Sequence, residues 1–146
     1  MTEIEKWIED AARHLNIELR KLSSDEAKSV LNKAMSRYVK ITDPRVWWLN
    51  LAKPVDEYYE RSTVKLSEIL PDSCGSCWLI PETDTNLLPV YEVYANAIER
   101  LIDDCPGFEY NIVAKDFCWL VIETDHDQYY VCRNYDKLPE LMANST

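Results

Sequence analysis

The feature that most constrains this chain lies between residues 108 and 133, where three apolar runs of strand length stand almost end to end. Residues 108–113 alternate, placing Phe108, Tyr110 and Ile112 on one face, as the two-residue period of a strand requires. Residues 117–123 are almost continuously apolar, the pattern of a central strand covered on both sides. Residues 129–133 form the third run. The connections, Ala114-Lys115-Asp116 and Asp125-His126-Asp127-Gln128, are too short for a crossover, so the three strands are expected to be antiparallel neighbours.

The rest of the chain reads mainly as helix. Ile4, Trp7, Ile8, Ala11, Leu15 and Leu19 recur at helical spacing and predict a helix over 3–20. Ser23 and Glu26 have the spacing of a capping box. The helix it opens should reach Tyr38 and bury Ala27, Val30, Leu31, Ala34, Met35 and Tyr38. These two helices are expected to form a hairpin over 3–38. Residues 42–70 read as an irregular helical segment. Asp43-Pro44 would start a short helix over 45–51, a second would hold Tyr58 and Tyr59, and a last turn would cover 66–70 before Pro71. The adjacent Trp47 and Trp48 should divide between core and surface.

Residues 77–80 read as a buried strand between Gly75 and Pro81. Pro89 suits the first turn of a helix. That helix is expected to run to Asp104 with Val90, Val93, Tyr94, Ala97, Ile98, Leu101 and Ile102 inward, ended by Cys105-Pro106-Gly107. The expected architecture is a single α+β domain over 1–146, with helices packed on a small, mostly antiparallel sheet of three to four strands.

The charge balance narrows the function. The 146 residues carry a net charge of −10. Residues 1–80 hold 13 acidic and 12 basic side chains, whereas residues 81–146 hold 13 acidic and 4 basic ones. Such an excess disfavours nucleic acid and anionic membranes, which need Lys and Arg, and favours a basic protein partner. No run approaches the roughly 20 apolar residues that span a bilayer. The acidic, amphipathic start lacks the pattern of a secretory leader, and the five cysteines are an odd number, so the expected location is the cytoplasm, with reduced thiols.

Few residues suggest catalysis, and no cofactor is expected. Cys74-Gly75-Ser76-Cys77 is a CxxC that could supply half of a zinc site in an adaptor protein, but no second pair accompanies it. A redox pair would want a helix N-terminus, whereas Cys77 opens a strand. Glu123, Asp125, His126 and Asp127 gather at one hairpin turn. His126 with a carboxylate or a cysteine could serve a small hydrolase or thiol enzyme, yet no glycine-rich oxyanion loop is present, the chain having only Gly75 and Gly107. The alternative is that the turn contacts a partner. Glu92, Asn96, Glu99 and Asp103 would join it, forming one stripe on the expected helix. Asp103 and Asp104 would stand at the negative end of that helix's dipole, where folding alone favours cations. Tyr129 or Tyr130 would add apolar contact area.

Phe108, Glu109, Tyr110, Ile112, Val113, Lys115, Trp119, Leu120, Glu123, His126 and Asp127 resemble the C-terminal hairpin of a family of small bacterial proteins of uncharacterised function. Those proteins read F-E-Y-x-I-V-x-K, then W-L, then E-x-H-H-D; Asp125 stands where the first His of that pattern falls. In size, acidity and α+β character the chain also resembles the immunity proteins of bacterial toxin systems, including contact-dependent growth inhibition. That likeness implies a cytoplasmic inhibitor that binds and neutralises a basic toxin, frequently a nuclease, with no catalysis of its own.

Overall fold

Seven strands, all paired antiparallel, form one sheet in the order β1-β4-β3-β5-β6-β7-β2. The computed structural model describes residues 1–40, 46–71 and 75–133. Its elements are α1 (Glu3–Leu15), β1 (Leu19–Lys21), α2 (Ser24–Tyr38), a 3-10 turn (Trp47–Leu49), β2 (Glu57–Glu60), α3 (Leu66–Ile69), β3 (Ser76–Pro81), β4 (Tyr91–Tyr94), α4 (Ala95–Asp103), β5 (Tyr110–Ala114), β6 (Trp119–Glu123) and β7 (Gln128–Arg133).

The centre of the sheet is the predicted meander β5-β6-β7, extended by β3. Every residue of β5 and β6 is buried, as expected of strands covered on both sides. Alternation sends Tyr110, Ile112, Val121 and Val131 into one core, beneath α1, α3 and α4. Val113, Leu120, Ile122 and Cys132 enter the other, beneath α2 and the 3-10 turn. The molecule is therefore α+β in three layers, with a sheet larger than the three to four strands expected.

The additional strands replace expected helix, each for a local reason. Residues 3–38 do not form a helical hairpin. Asn16 adopts a left-handed conformation (φ 56°) that stops α1, and β1 follows, paired with β4. The two helices then lie on opposite faces, Ile8 and Ala11 in one core and Leu31 and Ala34 in the other. Tyr58 and Tyr59, expected in a helix, lie in β2 opposite Tyr130 and Tyr129. The helix expected up to Asp104 begins only at Ala95. Val90, Val93 and Tyr94 fit a helical period, but Tyr91 and Val93 also alternate, and pairing with both β1 and β3 decides for strand. Both ends of α2 agree with expectation: the Ser23–Glu26 capping box is present, and Tyr38 is fully buried. Trp47 is buried and Trp48 half-buried, dividing between core and surface. Asp43, Pro44 and Arg45, the expected start of a helix, and Cys74 lie outside the described residues.

Candidate functional site

One end of the sheet gathers what the sequence scatters. There β2, β3 and β6 finish while β5 and β7 begin, so the ends of five strands and their loops converge. The first turn of α1 closes one side. Between them lies a cleft of about 780 Å³. Glu82 and Asp84 reach it from beyond β3, and Glu109 from the lead into β5. Glu123, Asp125 and Asp127 come from the β6–β7 hairpin, and Glu3 from α1. Against these seven carboxylates the cleft has, among the described residues, a single basic side chain, Arg61, which follows β2. Ile4, Trp7 and Phe108 supply its apolar wall.

Burial differentiates these acids. Glu123 is 5% exposed. Its Oε2 lies 3.5 Å from Arg61 Nη1, and its Oε1 is enclosed with no hydrogen-bond partner. Burial pushes its carboxyl upward, against the opposing pull of Tyr110 and Arg61. Burial also raises Glu82, although that carboxylate accepts from Val46 N–H at 2.8 Å and from Asn111 Nδ2 at 3.0 Å. Val46 has φ 57°, a conformation unusual for a β-branched residue, and Glu82 holds it there. Glu109 accepts from Trp48 Nε1 at 3.0 Å. Asp125 and Asp127 stay exposed on the rim.

A second pocket of about 280 Å³ adjoins the cleft, and Arg61 and Glu123 line both. Tyr110, Tyr129, Glu99 and Asp103 also line it. Tyr129, expected at a partner surface, is buried here among core side chains. Its neighbour Tyr130 faces the other way and meets Tyr58 and Trp48 edge to face, with ring centroids 5.1 and 6.4 Å away. Tyr58 is 64% exposed. Trp48 also meets the His126 ring at 5.5 Å, so an aromatic row runs from the sheet edge to the acidic hairpin.

The expected acidic stripe does not exist as one surface. Glu92 lies in β4, where Lys115 and Arg20 bind its carboxylate and hold it down at about 2. Asn96, Glu99 and Asp103 are on α4. Glu99 accepts from Ser67 N–H at 2.8 Å and, with Asp103, lines the smaller pocket. Asp104, at the helix end, is answered by His14 at 3.0 Å. The hairpin part of the expected surface does hold together: Glu123, Asp125 and Asp127 line one cleft, with His126 between the last two. Sequence reasoning missed Glu3, Trp7, Arg61, Glu82, Asp84 and Glu109. Their shared signal is position at element ends, which acquires meaning only once strand order is known.

The His126 side chain is 67% exposed, with Asp125 at 3.4 Å. Cys77 is buried in β3, and burial pushes its thiol up to about 12, the reverse of a redox cysteine. Among the described residues, no group of three His, Cys, Asp or Glu side chains could hold a metal ion. Among them, too, no helix is long and apolar enough to cross a membrane.

No curated protein and no solved structure matches the chain. One family model does, over residues 1–142, nearly the whole length described above, so the chain belongs to a family of unknown function (DUF6756).

Proposed function

We propose that this protein is a binding protein, an immunity-type inhibitor that covers the working surface of a basic partner in the cytoplasm. The observation that carries this reading is the convergence of seven carboxylates on one cleft against one arginine. Like charges that are not needed for folding repel one another and weaken the compact state. A cation from outside relieves that repulsion. The aromatic row beside the cleft supports the reading, because Trp48, Tyr58 and Tyr130 offer the contact area that anchors interfaces. A toxin domain acting on nucleic acid is the partner best complemented, since a surface shaped for phosphates is also shaped for carboxylates. Charge attraction would speed encounter, and the aromatics would slow release.

The test takes a basic toxin-like domain, sought in the reading frame beside that of this chain, and produces it with and without this protein. The expected result is a 1:1 complex by light scattering, with suppression of that domain's activity. Association should slow as salt rises, and should slow further in the variant Asp84→Lys/Asp125→Lys/Asp127→Lys, whose circular dichroism should match the parent. A rate indifferent to both salt and charge reversal would overturn the reading.

A further inference from the structure

Several carboxylates among the described residues have a basic partner within the chain. Arg20 answers Glu26 and Glu92, Lys21 answers Glu5, and Arg133 answers Glu57. Glu123 differs. Its Oε1 is enclosed and has no hydrogen-bond donor among the described residues. Among the described residues, its Oε2 pairs with Arg61 at 3.5 Å, beyond the usual range of an N–H···O hydrogen bond. The hydroxyl of Tyr110, itself fully buried, is close enough to pull the Glu123 carboxyl down but is not in hydrogen-bond geometry with it. A carboxylate left in this condition destabilises the fold unless something supplies the missing donors. Glu123 lines both the cleft and the smaller pocket, and Tyr110 lines the smaller one.

The geometry points to this junction as the seat of a guanidinium group, an arginine side chain inserted by the partner. The inference rests on the proposed basic partner and names the group that partner presents. Arg61 shows that the place accepts a guanidinium, but it fills it poorly. Its Nη1 stands 3.5 Å from Glu123 and 3.9 Å from Asp127, and its side chain is 42% exposed. A second guanidinium entering from the cleft can displace it, pair with Glu123 Oε2 and, once the carboxyl turns to bring Oε1 toward the cleft, hold both oxygens in the two-pronged geometry that favours arginine. Trp7 and Phe108 line the same cleft, and aromatic rings attract a planar cation. Lysine matches less well: its ammonium is a compact, strongly hydrated point charge that does not stack. The cleft's volume is within the range of ligand pockets, roomy enough for the side chain with some flanking backbone.

Calorimetry with the full chain tests this. The probes are blocked glycine–serine peptides of one sequence, with Arg, Lys or citrulline at the centre, and free agmatine. The Arg peptide should bind about tenfold more tightly than the Lys peptide, and citrulline about tenfold more weakly than Arg or worse. Glu123→Gln should abolish the preference for Arg, whereas Asp25→Asn, which removes one charge from distant α2, should keep it. Arg61→Ala should tighten the Arg peptide, and it keeps the test open if Glu123→Gln fails to fold. Equal binding of Arg and citrulline, or a preference that survives Glu123→Gln, would overturn the inference. Agmatine binding as tightly as the Arg peptide would assign the site to a free small ligand and overturn the partner's side chain as its occupant. If no cationic peptide binds while the basic domain still forms a salt-sensitive complex, only the guanidinium assignment fails. If neither binds, the reading of the function fails with it.

Discussion

Glu92 separates a carboxylate that serves the fold from one offered to a partner. It accepts from Arg20 Nε at 2.8 Å and from Ser76 Oγ at 3.3 Å, and it also pairs with Lys115. Arg20 is its register partner across β1 and β4, so the cluster pins an edge strand of three residues to the sheet. Lys115 meanwhile lies over the Trp78 ring, 4.3 Å from its centroid. The carboxyl is held at about 2 against an ordinary 4.5. Unscreened, that difference would be worth about 3 kcal/mol. The side chain is 23% exposed and its partners more so, and solvent screening reduces the figure to about 1–2 kcal/mol. Glu92→Gln should therefore lower the urea midpoint at about pH 7, and the melting temperature by about 3–6 °C for a chain of this size. The sign with pH follows from a depressed folded value: the contribution is complete above the ordinary carboxylate range and fades as pH falls toward 2. Parent and variant should thus converge as urea melts are repeated toward about pH 3. Equal midpoints at neutral pH, or a gap that acid leaves unchanged, would refute the argument. So would a stable Glu92→Gln protein whose only defect is slower partner association.

Two further outcomes follow from burial. Cys77, 1% exposed and pushed up to about 12, should resist alkylation in the native protein while exposed Cys118 reacts; peptide mass spectrometry after timed iodoacetamide labelling reads both sites. The Glu82 carboxyl is raised, so the folded state holds its proton more tightly and loses stability as pH rises through the folded value. Glu82→Gln should flatten that decline in urea midpoints taken from about pH 4 to about pH 7, and an unchanged slope would count against the assignment.

The strands of the meander were legible because each carries its own period: Tyr110 and Ile112 alternate with their neighbours, and 117–122 is apolar throughout. The start of α2 was legible because a capping box is a local device, complete within Ser23 and Glu26. The strands β1, β2 and β4 were not. Each has three or four residues, too few to display a period, and each exists through hydrogen bonds to a partner far along the chain. The candidate site divides in the same way. Glu123, Asp125 and Asp127 could be grouped because one hairpin holds them; Glu3, Arg61, Glu82 and Glu109 join them only across the ends of five strands.

By itself the sequence determined the antiparallel meander, the helical face of α2 and the concentration of acid in residues 81–146, because period, capping and charge are properties of neighbours in the chain. Tertiary structure alone decided which acids remain free. Glu92 looked available and is held between Lys115 and Arg20; Glu123 was grouped with the hairpin turn and is buried with an oxygen unmatched. Whether a carboxylate is neutralised or offered depends on which distant cation the fold brings within a few ångströms, because attraction between charges in water fades over roughly ten.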